Sequence, residues 1–132
     1  MDVPSPSIRD LARRLLAESE NAADSRAQEA VLVNEKLRIA LTQFAGPDGF
    51  TALLRRALAL ASAEEPTLKG ATVSADGRLE GWEQLATLPE SVAGLAAVAI
   101  TAHLLGLMVT FIGEPLTLRL VRQAWPKLSL GE

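Results

Sequence analysis

The chain contains a single histidine, His103, within the run 91–113, which carries no Asp, Glu, Lys or Arg. An imidazole changes its charge near neutral pH, so it can transfer protons or act as a switch. Catalysis also requires an orienting residue and a reacting group, and a metal site requires further ligands. The sequence identifies none of these, so we expect no catalytic residue and no metal site. His103 is then a ligand contact, a switch or a hydrogen-bonded histidine between helices.

Six arginines form a second candidate set, because guanidinium groups bind carboxylates and phosphates well. They are Arg13, Arg14, Arg55, Arg56, Arg119 and Arg122. If they converge in the fold, they form a site for an anion or an acidic partner. Acidic residues such as Asp10, Glu64 and Glu114 lie near them in the sequence, so the alternative is a set of solvated helix faces with local ion pairs.

Motifs of the common enzyme and cofactor sites are missing from the sequence. There is no P-loop, no Rossmann glycine pattern and no nucleophile elbow around any serine. One histidine excludes a paired-histidine metal motif, and the absence of cysteine excludes disulfides and thiol chemistry. We therefore expect a protein that is not an enzyme and binds no cofactor, although a dispersed carboxylate site would leave no such motif.

Composition indicates one globular domain over residues 1–132, with 48% hydrophobic and 22% charged residues. The net charge of −3 gives no basic surface for a phosphate backbone, so we expect no nucleic-acid partner. The first ten residues, MDVPSPSIRD, match neither a secretory signal nor a transit peptide. The cytoplasm is the expected location.

Apolar residues recur with helical spacing in several segments, which predicts a mainly α fold, a bundle of about five helices. The first helix is expected over 5–22, and the second begins near Ser25 and ends at Gly46, Pro47 and Gly49. A third, capped by Asp48, ends before Pro66, and the last covers 116–125.

A change of pattern near 71–80 predicts one short β-hairpin. Val73 and Leu79 flank Asp76-Gly77, a dipeptide suited to the positive φ angles of a tight hairpin turn. Two strands alone are marginally stable in water. We therefore expect the hairpin to pack on the helices, to act as a lid, or to pair with a strand of another chain.

The uncharged run 91–113 is long enough to span a bilayer, but the amphipathic helices around it need an apolar partner to cover their faces. We therefore expect 91–112 to be the central helix of the bundle. Its small residues share one side, which permits a second helix to approach closely, either from this chain or from a second copy in a homodimer. The small face comprises Ala96, Ala99, His103, Gly106, Thr110 and Gly113.

Two tryptophans, Trp82 and Trp125, lie at predicted element boundaries, where an indole covers a core or anchors an interface. Together with the small face and the hairpin edge, they suggest contacts with another chain. The sequence thus predicts a helical protein-interaction, adaptor or regulatory module that binds a protein partner or itself. The alternative is a membrane-inserting or membrane-associated protein that uses the helix 91–113.

Overall fold

The computed structural model describes residues 4–18, 26–81, 84 and 87–126, without the side chains of residues 26 and 27. In these ranges the chain forms four α-helices, with a 3₁₀ helix and a two-stranded hairpin between the second and the third. The elements are α1 (Pro6–Glu18), α2 (Arg26–Glu64), the 3₁₀ helix (Pro66–Gly70), β1 (Thr72–Val73), β2 (Leu79–Glu80), α3 (Glu90–Ile112) and α4 (Glu114–Ala124). The predicted mainly α bundle with one short hairpin is confirmed.

Helix α2 accounts for the difference between the five helices predicted and the four observed. Gly46 lies in the middle of it with φ 76° and ψ 166°, a backbone conformation that is essentially restricted to glycine. The chain changes direction at this one residue and continues as a helix, so no loop separates the two halves. Gly49 is therefore inside the helix, and Asp48 lies in its first turn after the break rather than at a cap.

Helix α3 is the centre of the bundle, since α1, α2 and α4 all contact it. Ala96 and Ala99 on its small face and Leu104, Leu105 and Met108 on its large face are all buried. A helix that is buried on both sides needs apolar residues around its whole circumference, which explains the absence of charge. The expected central apolar helix is present, with Glu90 as its first residue.

Helix α3 is also the one helix in the described part of the chain with the length and composition to cross a membrane. Its most apolar window of 18 residues has a mean hydropathy of 2.2, and 61% of that window is buried inside the protein. The core helix of a water-soluble protein meets the same criteria. Its composition is thus accounted for by packing within this bundle.

Helix α1 packs against α3. Its buried stripe has the spacing expected from the sequence and comprises Ile8, Leu11, Ala12, Leu15 and Leu16. Ser5 caps the helix, because the Ile8 amide donates a hydrogen bond to Ser5 Oγ at 3.3 Å. The helix ends at Glu18, and the rest of the range expected to be helical lies outside the described residues.

The hairpin packs on α2. Thr72 pairs with Glu80 and Val73 with Leu79 in antiparallel register. Within its turn Gly77 has the positive φ for which this dipeptide is suited, 81°, whereas Asp76 has a negative φ. Gly77 is buried against Phe50 and Thr51 of α2, which are 3.1 and 3.0 Å from the position that a Cβ on Gly77 would occupy. In addition, Asn34 Nδ2 donates to Gly77 O at 3.4 Å.

Candidate functional site

A carboxylate joins three helices beside the lone histidine. Glu64, the last residue of α2, accepts two hydrogen bonds from the Arg9 guanidinium of α1, at 2.8 and 2.5 Å. Its Oε1 atom also lies 3.1 Å from His103 Nε2 of α3. The histidine side chain is only 4% exposed, whereas those of Arg9 and Glu64 are 22% and 36% exposed. Solvent therefore reaches the ion pair from one side, and the imidazole forms its inner end.

The electrostatic effect of this cluster is greatest on Glu64. The hydrogen bonds from Arg9, helped by that from His103, lower the pKa of the Glu64 carboxyl despite its partial burial. The same hydrogen bonds raise the pKa of Arg9. The carboxylate thus stays ionised and fixes the orientation of the imidazole, which is the arrangement of a hydrogen-bonded histidine in a helix contact.

A groove opens beside His103 where the small face of α3 is no longer covered. It has a volume of about 490 Å³. It is lined by Pro4, Ser5, Ile8, Arg56, Leu60, His103, Gly106, Leu107, Val109 and Thr110. Four of the residues singled out in the sequence, namely His103, Gly106, Thr110 and Arg56, therefore line one depression. We call it the His103 groove.

The groove lies where the start of α1 approaches the C-terminal half of α3. Farther along, Ala96 and Ala99 are buried inside the protein. Gly106 has no side chain to fill the space, and the nearest atom to a Cβ built on it is Pro4 Cβ, at 4.0 Å. Thr110 is exposed, and its hydroxyl donates to Gly106 O within the same helix. The small face is thus buried in one half and open in the other.

The other five predicted arginines do not line this groove. Arg13, Arg55, Arg119 and Arg122 are exposed on helices α1, α2 and α4. Arg14 pairs with Asp10 at 3.0 Å and lines a separate, smaller groove together with Glu114. Arg14 and Arg56 therefore belong to different grooves, and the six arginines do not form one anion site.

Of the two tryptophans predicted as possible interaction residues, the structure describes one, Trp125. Trp82 lies outside the described residues. Trp125 is buried directly after α4, with Lys36 Nζ 5.1 Å from its ring centroid. Its indole N–H has no hydrogen-bond partner in the described part of the chain. The ring belongs to the core of the protein, so it is not accessible to a partner.

A second apolar surface was not predicted from the sequence. Ile39 is 58% exposed, although it lies in the interior of α2. It borders a groove of about 220 Å³, formed by α2 and the end of α4. The other residues that line this groove are Lys36, Ala40, Gln43, Gln123 and Ala124. Isolated exposed apolar side chains are common on proteins, so Ile39 alone does not define a site.

Arg9 was missed as a site residue, although a sequence signal for it exists. Arg9 is seven positions from Leu16, and Glu64 is seven positions from Ala57, a spacing that places each pair within about 20° on a helix. A basic and an acidic residue thus occupy positions in the apolar stripes of α1 and α2. Opposite charges at such positions indicate an ion pair between helices.

Among the described residues, no group of three His, Asp or Glu side chains could hold a metal ion. Comparisons with protein-family models, with curated proteins and with solved structures gave no match to this chain. The candidate site is accordingly defined by its own geometry, which combines an apolar groove, one arginine and a histidine oriented by Glu64.

Proposed function

We propose that the protein is a helical protein-interaction module of the cytoplasm, with an adaptor or regulatory role, and that its partner binds in the His103 groove. The observation that carries the proposal is the open half of the small face. Gly106 and Thr110 form a floor with little side-chain bulk, between walls provided by α1 and α2. A floor of this kind allows the backbone of a second chain to approach closely.

The lining of the groove suits a partner with apolar anchors. Ile8, Leu60, Leu107 and Val109 supply apolar contact, and Arg56 and His103 supply polar contact points. Protein interfaces commonly combine a small apolar centre with a few polar contacts at its edge.

A homodimer in which the whole small face of α3 contacts a second copy is not supported, because Ala96 and Ala99 are already covered within one chain. The partner is therefore expected to contact only the open half, near Gly106 and Thr110. A second copy of this chain can still bind there through another of its surfaces. Such self-association is one outcome of the experiment below.

The test is photo-crosslinking in the producing cells, with a benzophenone amino acid in place of Thr110. The control carries the same amino acid at Ser91, an exposed residue of α3 that is 19 positions away, or about 28 Å along the helix. We expect a discrete adduct from position 110 and none from position 91, with the adduct identified by mass spectrometry. The same pattern at both positions, or no adduct at 110, would overturn the proposal.

A second candidate function is insertion into a membrane, favoured by the length and mean hydropathy of α3. It requires the bundle to open, since most of the apolar window is buried. Sedimentation with liposomes from about pH 5 to about pH 8 tests it. Co-sedimentation at any pH in this range would support insertion, whereas protein that stays in the supernatant throughout would exclude it under these conditions.

A further inference from the structure

We propose that the group bound in the His103 groove is a carboxylate carried by an apolar segment of the partner, and that Arg56 binds this carboxylate. The inference rests on the proposed function, because it names the chemistry that enters the same groove. It assigns this role to Arg56 alone among the six arginines that the sequence offered as a candidate set.

The described part of the groove lining lacks acidic residues. Arg56 is the lining residue there with a permanently charged side chain, and none of the described lining residues is Asp or Glu. The nearest acid in the cluster, Glu64, already receives both hydrogen bonds of Arg9, which offset its negative charge. An entering anion therefore meets the N–H donors of Arg56, and no described lining residue is a carboxylate that would repel it.

The apolar walls of the groove indicate the kind of group to which the carboxylate is attached. Ile8, Leu60, Leu107 and Val109 surround the groove with apolar surface, which a bare inorganic anion would leave uncovered. A carboxylate attached to an apolar group uses both the walls and the guanidinium.

Arg56 can take this role in addition to its present one. It already has an interaction within the protein. A guanidinium has five N–H donors, so it can bind a further carboxylate while keeping another contact. Arg55, the adjacent residue, is exposed and does not line the groove, which makes it a matched control.

The experiment is an NMR titration of the ¹⁵N-labelled full chain at pH 7 with three probes of equal chain length: octanoate, octanol and octylammonium. We expect octanoate to shift the amide signals of Gly106, Leu107 and Thr110 at the lowest concentration, octanol to bind more weakly and octylammonium to bind most weakly. Replacing Arg56 by Gln should weaken octanoate binding about tenfold, because a hydrogen bond to a charged group is lost. Arg55→Gln should leave it unchanged.

Equal binding of the three probes would overturn the carboxylate inference, as would an equal loss in the Arg55→Gln and Arg56→Gln variants. Absence of shifts around Gly106 would also overturn it. These failures remain distinct from failure of the interaction proposal, because the adduct formed from position 110 does not depend on the charge of the partner. Circular dichroism of both arginine variants verifies that each retains the fold.

Discussion

At the scale of single residues, Glu64 is the point at which α1, α2 and α3 meet through polar side chains. It accepts hydrogen bonds from Arg9 and lies 3.1 Å from His103 Nε2. Solvent reaches the Arg9–Glu64 pair, so its contribution to the free energy of unfolding resembles that of an exposed ion pair more than that of a buried one. Its more specific effect is to hold the His103 ring in one orientation at the end of the groove.

Replacing Glu64 by Gln tests this cluster. We expect the free energy of unfolding to fall by about 0.5–1 kcal/mol at pH 7, because the amide cannot form an ion pair with Arg9. Urea denaturation at several pH values measures the effect. Glu65→Gln is the matched control, since the one contact of the Glu65 side chain in the described part of the chain is a long hydrogen bond from Thr67, which an amide oxygen can also accept.

The pH dependence of this difference has a defined sign. The pKa of Glu64 is lower in the folded protein than in the unfolded chain, so its stabilising contribution is fully present above the unfolded value of about 4.3. That contribution is lost as the pH falls through the lower, folded pKa. We expect the difference between the wild type and Glu64→Gln to decrease in acid, as the pH falls below the unfolded value and through the folded pKa of Glu64. A difference that grows as the pH falls below about 4.3 would contradict this account of Glu64.

The sequence was informative about the type of environment around His103, but not about its partners. The spacing of Ala96, Ala99, Gly106 and Thr110 predicted that His103 belongs to a face of close helix contact. Glu64 is distant in sequence, and only the packing of the end of α2 against α3 brings the two together. For the same reason, the sequence could not separate Arg56 from its neighbour Arg55, because their positions relative to the groove depend on how α2 is oriented.

At the scale of elements, two glycines join pairs of helices without a loop. Gly46 divides α2, and Gly113 links α3 to α4 with φ 89° and ψ 156°. Both have backbone angles that essentially only glycine adopts. The composition around Gly46 predicted a break, but glycine and proline do not reveal whether a loop or a single residue will separate two helices. The hairpin was predicted from Val73, Leu79 and Gly77, and the structure places its turn on α2.

Gly→Ala substitutions at two sites should have opposite effects on stability. At Gly46 the methyl group would meet no atom within 4 Å, so the cost comes from the backbone and should be about 1–3 kcal/mol. Gly106 lies inside a regular helix with space for a methyl group, so Ala there should stabilise by about 0.5–1 kcal/mol. Thermal and urea denaturation of both variants measures the signs, and equal effects at the two sites would refute the assignment of strain to Gly46.

Truncation of two leucines on α3 tests whether this helix is the core of the folded chain. Leu105 is fully buried, so Leu105→Ala should lower the free energy of unfolding by about 2–5 kcal/mol. Leu95 is 62% exposed on the same helix, and Leu95→Ala should change it by less than about 0.5 kcal/mol. Urea denaturation in detergent-free buffer gives both values. Similar losses at the two positions would show that α3 has different surroundings from those in this fold.

At the scale of the whole molecule, the main result is that one face of α3 has two different surroundings. Its first half is covered within the chain, and its second half forms the floor of the His103 groove. Helical periodicity identified this face from the sequence as a single stripe. The division depends on how the other helices pack on α3, which is a property of tertiary packing and has no local signal in the sequence.

The most direct test of an interaction site in the groove is to fill it while the crosslinking amino acid is present at position 110. Leu at position 106 would extend from the floor of the groove, and Ala17→Leu, on an exposed position of α1, is the control. We expect the adduct from position 110 to disappear in the Gly106→Leu variant and to persist with Ala17→Leu, both variants having a thermal unfolding midpoint near that of the parent. An adduct of unchanged yield in the folded Gly106→Leu variant would contradict the assignment of the His103 groove as the interaction site.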